Sequence, residues 1–188
     1  MEHIVTYSGE QFTPHDPNGD QILIEDIAHS LSLLCRANGH IIRFYSVAQH
    51  CINCACEAKA RGLSTRVQLA CLLHDASEAY LSDITRPVKR HLSEYKIMEK
   101  RMQDAIYIKF LKTPLSDDEQ AQVDQIDNDI LVCEFNALMR KKVYDFSPKL
   151  HSTPTFELKE FTDVENTFLM HYYGDGLRIW LDGAVEDY

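Results

Sequence analysis

Apolar residues recur along most of this chain at the spacing of helices, and one break in that pattern organises the rest. Leu69-Ala70-Cys71-Leu72-Leu73 is apolar on every side and ends abruptly in His74, Asp75 and Glu78. A segment without a polar face reads as a buried helix. Polar groups at its end must then be hydrogen-bonded, charge-paired or bound to a metal.

Upstream, residues 1–23 read as irregular or extended, and the run Thr13-Pro14-His15-Asp16-Pro17-Asn18-Gly19-Asp20 is dense in turn formers. Asp16, Asn18 and Asp20 imitate a calcium loop, but Gln21 and Ile27 stand where that loop needs Gly and a bidentate Glu. Ile24, Ile27, Ala28, Leu31, Leu34 and Cys35 predict a helix over 24–36, stopped by Asn38-Gly39. Ser46 is a candidate N-cap for a second helix, whose face of Val47, His50, Cys51, Cys54 and Ala58 reaches Arg61 before Gly62 stops it. Thr65 is the candidate cap of a third, ending at His74-Asp75 or extending to Tyr80. Residues 81–89 read as a loop, because Pro87 disfavours helix at the residue before it.

A fourth helix is predicted over 93–111, before Pro114. Ser116-Asp117-Asp118-Glu119 opens a fifth that runs to Lys141, with acidic residues at the positive end of its dipole. From 142 to 164 no period is evident. A last helix is predicted from Phe161 to His171, then a turn at Gly174-Asp175-Gly176, then strand or helix over 177–181. With no repeat or linker, the pattern implies an all-α chain. It forms a single bundle-like domain over 1–188, with core motifs in 24–140 and the tail from 142 packed on them.

Composition narrows the function classes. Hydrophobic residues at 45% supply a sizeable core, while a net charge of −10 argues against a nucleic-acid polymer or an anionic membrane as partner. The start lacks the basic-then-apolar order of a signal peptide, and no apolar run has the length of a membrane span. Six cysteines lie mostly within apolar helical patterns. The expectation is a reducing cytoplasm.

On a helix, His74 and Asp75 project about 100° apart and Glu78 follows one turn later, so the three can border one cavity. His50 lies on the preceding helix, and Asp127 lies between Ile126 and Ile130 with Asp124 and Asp129 as competing carboxylates. Two imidazoles and two carboxylates suit a divalent first-row ion such as Mn, Fe, Co or Zn. Such an ion polarises a phosphoryl oxygen and acidifies bound water. The bland alternatives are a helix-end histidine capped by its neighbour, and an exposed acidic face at Asp127.

Cys51, Cys54 and Cys56 lack the second pair that a zinc site needs and read as small packing residues. His3, His15, His29, His40, His91, His151 and His171 show no paired spacing, and His29 reads as a packing residue. Arg36, Arg86 and Lys89 are either phosphate clamps or surface charges, and Phe44 and Tyr80 either flank a base or belong to the core.

His50, the adjacent His74-Asp75 and the distant Asp127 resemble the H…HD…D signature of the HD-domain phosphohydrolases, over residues 24–140. The resemblance implies an HD-domain helical bundle with metal held by His50, His74, Asp75 and Asp127. His74-Asp75-Ala76-Ser77-Glu78, then Asp83, then Pro87-Val88-Lys89 is similar to the HDASE…D…PVK segment of bacterial HD-type 5′-deoxynucleotidases. That implies catalytic roles at the attacking water and leaving group for Glu78 and Asp83, and phosphate contacts for Lys89 and Arg36. Ala37 stands where those enzymes place a tryptophan, so their way of choosing the sugar does not carry over.

The short length, the approach Phe44-Tyr45-Ser46-Val47-Ala48-Gln49-His50 and the compact tail are more similar to phage-encoded HD hydrolases. Some of these cleave dATP to deoxyadenosine and triphosphate, in phages that replace adenine in their DNA. The resemblance thus implies a dATP triphosphohydrolase with one Co, Mn or Zn ion per site, a small nucleotide substrate, a homo-oligomer and, if phage-encoded, the host cytoplasm. Two alternatives stand beside it: a 5′-deoxynucleotidase acting on monophosphates, and an inactive helical interaction module with a structural metal.

Overall fold

The computed structural model describes the backbone of residues 3–183 and the side chains of residues 3–174, and it is mostly helical. Two short strands open it: β1 (Ile4–Val5) pairs antiparallel with β2 (Gln11–Phe12). Asp26 pins this hairpin by accepting the Ser8 N–H at 2.7 Å and the Ser8 hydroxyl at 2.8 Å. Phe12 is thereby delivered to the core, against the Tyr80 ring at a centroid distance of 4.4 Å.

α1 (Ile24–Leu33) buries Ile24, Ile27, Ala28 and Leu31 but ends before the predicted Arg36. The chain leaves the helix because Cys35 bridges Ser46 and the Arg36 N–H bonds the Tyr45 carbonyl at 2.9 Å. Arg36–Gly39 then form a 3-10 turn in which Ala37 (φ 53°) and Asn38 (φ 50°) are left-handed. α2 (Val47–Ala60) begins on the predicted cap, where Ser46 and Gln49 exchange reciprocal side-chain to backbone bonds. α3 (Thr65–Leu73) is capped by Ser64 instead of Thr65, since the Ser64 hydroxyl accepts the Val67 N–H at 3.2 Å. Residues 74–77 form a turn into α4 (Glu78–Leu81), which stops at Ser82 with φ 73°.

The predicted loop over 81–89 contains a short helix, α5 (Arg86–Lys89). Pro87 sits in its first turn, where a missing N–H leaves no bond unmade. α6 (Ser93–Leu111) has the predicted bounds. α7 (Asp117–Leu138) opens on the Ser116 and Glu119 capping box but stops short of Lys141, because Met139 is extended. α8 (Phe161–Gly183) runs past His171, through the glycines predicted to turn, and over 177–181 as helix. Glycine permits a turn without demanding one, and a helix already nucleated on the core adds residues easily. The tail after residue 183 lies outside the described residues.

α2 and α3 pack together at the centre, with α1, α7 and α8 against them and α6 against α3. Small side chains at Ala48, Cys51, Ala55, Ala58, Ala70 and Cys71 allow that close approach, and Val164 and Phe168 of α8 complete the core. All six cysteines are free thiols. Among the described residues no helix is long and apolar enough to cross a membrane.

The stretch between α7 and α8, without period in the sequence, is held by side chains of α2. Asn53 donates to the Thr155 carbonyl and Gln49 to the Glu157 carbonyl. Glu57, fully buried, accepts the His151 N–H, the Ser152 N–H, the Ser152 hydroxyl and the Arg61 guanidinium. Burial pushes this carboxyl up, and those donors outweigh it, holding it at about 2 against an ordinary 4.5. A depressed folded value means that the stabilisation is complete above pH 4.5 and is lost as pH falls towards 2. Glu57→Gln should lower stability at neutral pH by about 2–3 kcal/mol and flatten the acid loss. Urea unfolding at neutral and acidic pH measures both, and an unchanged neutral midpoint would contradict the assignment.

Candidate metal centre

His50 sits within α2, His74 and Asp75 directly follow α3, and Asp127 sits within α7. The fold brings all four together. His50 Nε2 lies 3.1 Å from His74 Nε2 and 3.1 Å from Asp127 Oδ1. Asp75 Oδ2 lies 3.4 Å from His74 Nε2 and 3.8 Å from His50 Nε2, and Asp127 Oδ1 lies 3.8 Å from His74 Nε2. Donor atoms about 2.0–2.2 Å from one ion stand about 2.8–3.1 Å apart in octahedral and about 3.3–3.6 Å apart in tetrahedral arrangements. These spacings match those ranges or exceed them by a few tenths of an ångström.

Hydrogen bonds to the far side of each ring decide what the near nitrogens present. His50 Nδ1 lies 2.7 Å from the buried Glu134 carboxylate, and His74 Nδ1 lies 2.8 Å from the Cys71 carbonyl. Both partners accept, so each Nδ1 carries a proton, and each Nε2 faces the point where the donors meet. On neutral rings the two Nε2 lone pairs, 3.1 Å apart, would repel unless positive charge, a proton or a cation, lies beside them. The titration of the cluster carries the same message. Burial and Arg36 lower His50, yet Glu134 and Asp127 leave it raised, and Asp75 likewise leaves His74 well above its usual value despite burial. Burial raises Asp75 and Asp127, yet His74 and Arg36 lower the first, and bonds to His50 and His74 lower the second. Within this cluster, His50, Cys54 and His74, and likewise Cys51, His74 and Asp75, have donor atoms close enough together to hold a metal ion.

Two thiols stand behind the rings, within 4.8 Å of the imidazole donors. Cys54 Sγ lies 3.6 Å from His50 Nε2 and 4.0 Å from Nδ1. Burial pushes the Cys51 and Cys54 thiols up, so they pack as neutral groups.

The cluster opens on a cavity of about 850 Å³ that Glu78, Asp83, Arg36 and Lys89 also line. Glu78 Oε2 is buried without a hydrogen-bond partner. Burial, with Asp75 and Asp83, holds its carboxyl well above the usual range. Asp83 accepts the Ala37 N–H and is raised by burial. Arg36, beyond α1, donates to Asp75 at 3.0 Å and reaches Glu134 at 3.5 Å. Lys89 donates to Glu99 at 2.5 Å and stands 3.8 Å from Glu78.

Of the competing carboxylates, Asp129 pairs with Arg61 and Asp124 accepts from Gln120. Neither Phe44 nor Tyr80 lines the cavity; its aromatic lining is Tyr107, Phe135 and Tyr144. His29 is a packing residue, stacked on Tyr7 at 3.6 Å and bonded to Glu165 at 3.0 Å. Sequence reasoning missed Glu134 and the pairing of Arg86 with Asp127 at 2.5 Å. Glu134 had a signal, since it stands two turns after Asp127 on α7 and so shares its face.

No family model matches the chain. Over 115 residues it is 42% identical to the uncharacterized protein YfdR of Escherichia coli, a match covering 61% of this chain and 62% of that one. Over 109 residues it is 38% identical to an uncharacterized protein of Rhodobacter capsulatus, covering 55% of each. The chain thus spans less than two thirds of the length of the curated relatives it matches.

If Glu134 fixes the His50 tautomer, Glu134→Gln weakens metal binding about 10–100-fold, while His74→Ala and Asp127→Ala abolish it. Titration calorimetry with Mn, Co and Zn measures this. Unchanged affinity in Glu134→Gln would break the tautomer argument.

Proposed function

We propose that the protein is a metal-dependent phosphohydrolase of deoxynucleotides built on an HD-domain bundle, with one Co, Mn or Zn ion held by His50, His74, Asp75 and Asp127. The observation that carries this reading is the meeting of donors 24 and 77 positions apart in the chain on the wall of a cavity that also presents Glu78 and cations. Such an ion, when bound, polarises a phosphoryl oxygen and activates water.

Glu78 acts as general base. Its oxygen, buried without a partner on the cavity lining, is free to accept a proton from a water held there. Asp83 steadies the attacking water or protonates the departing oxygen. Arg36, with a side chain only 10% exposed and held by two carboxylates, offsets the charge that builds on phosphate, together with Lys89. Tyr107, Phe135 and Tyr144 offer a base an aromatic wall, and about 850 Å³ lies within the range of small-molecule sites. An open cavity beside the donors also speaks against a closed structural metal in an inactive module.

The phage resemblance favours dATP as substrate, with deoxyadenosine and triphosphate as products. The HDASE…D…PVK segment favours a second reading, a 5′-deoxynucleotidase. Incubation with each deoxynucleotide, as mono- and triphosphate, with Co, Mn or Zn, followed by product identification, decides between them. Released triphosphate supports the first reading, and turnover confined to monophosphates selects the second. Glu78→Gln should retain metal and lose about 10²–10⁴-fold in turnover; undiminished turnover removes Glu78 as the base. The reading also carries a homo-oligomer in a reducing cytoplasm, and light scattering tests the assembly.

A further inference from the structure

Three cations lean on carboxylates of the centre, and they differ in how firmly they are held. The Arg36 side chain is 10% exposed between Asp75 and Glu134, and Lys89 is 22% exposed and tied to Glu99. Arg86 is 51% exposed and forks onto α7, with Nη2 on Asp127 Oδ2 and Nη1 on Asn128 Oδ1 at 2.8 Å. Arg90, four residues on and still in helical geometry, falls on the same face as Arg86 and lines the same cavity. Its guanidinium is exposed and has no ion pair among the described residues. Asp124, the carboxylate of that wall, is engaged by Gln120 at 2.8 Å.

We propose that Arg86 and Arg90 form a subsite for the outer phosphates of a nucleoside polyphosphate, and so set the preference between triphosphate and monophosphate. The inference rests on the hydrolase reading above. Asp127 turns Oδ1 to His50 and Oδ2 to Arg86, so the guanidinium stands one carboxylate away from the centre. A phosphate beside the centre meets Arg36 and Lys89, and only a chain extending outward reaches the exposed pair. Arginine forks match phosphate oxygens two at a time. Arg86, half exposed, can exchange Asp127 for phosphate, because Oδ1 of that carboxylate stays turned to the centre.

The test uses metal-loaded full-length protein with inorganic triphosphate and inorganic phosphate as probes. Calorimetric binding is measured beside metal content in the wild type, Arg86→Ala, Arg86→Lys and Arg90→Gln. Arg86→Ala and Arg90→Gln should each weaken triphosphate at least tenfold more than phosphate with metal content retained, and Arg86→Lys should recover part of the loss. Equal weakening of both probes, or a loss of metal in Arg86→Ala that parallels the loss of triphosphate, overturns the subsite. Wild-type protein that binds triphosphate in this pattern yet hydrolyses no deoxynucleotide removes the hydrolase reading and keeps the subsite. Triphosphate hydrolysis unaffected by either substitution removes the subsite alone.

Discussion

Two imidazole Nε2 atoms aimed at one point are the constraint on which the rest of this structure turns. His50 and His74 meet at 3.1 Å only because α2 and the end of α3 are pressed together by a core of small and branched side chains. The polar cluster itself does not supply that pressure, since burying charges costs several kcal/mol per ion before partners offset it. Stability comes from the apolar surface around the centre, and the centre uses the rigidity that results.

Glu134 extends that rigidity outward. Its carboxylate takes the His50 Nδ1–H at 2.7 Å and the Tyr45 hydroxyl at 2.6 Å, and faces Arg36. Asn53 donates to the Tyr45 oxygen and to the Thr155 carbonyl. One chain of hydrogen bonds therefore runs from the imidazole pair to the irregular stretch before α8. That stretch needs no backbone ladder to be ordered, because α2 presents Gln49, Asn53 and Glu57 to it at helical spacing.

Periodicity made the long helices legible, and cap chemistry fixed the starts of α2 and α7, where serine stands three residues before Gln49 and Glu119. It failed where long-range contacts decide. The early end of α1 depends on Cys35 and Arg36 bonding to residues 45 and 46, and nothing local signals that pairing. Pro87 was read as a breaker, although the first turn of a helix is where proline is harmless. Within the site, the abrupt polar end of an apolar run marks His74, Asp75 and Glu78, whereas the choice of His50 and of Asp127 over Asp124 and Asp129 rests on the resemblance to the H…HD…D signature. Arg86 could not be anticipated, because its bond to Asp127 joins positions 41 residues apart.

The departures from local rules gather at the cavity. Ala37, Asn38 and Ser82 are left-handed without being glycine, whereas Lys112, the other such residue among the described ones, closes a helix. Alanine gains nothing from that conformation by itself, so what holds it is tertiary. The strained turn points the Ala37 N–H at Asp83 and leaves Arg36 between Asp75 and Glu134. On the lining of the same cavity, Glu78 keeps a buried oxygen without a partner. Strained backbone at Ala37 and an unsatisfied carboxylate oxygen at Glu78 on the lining of one cavity are costs that the packed core around them must offset.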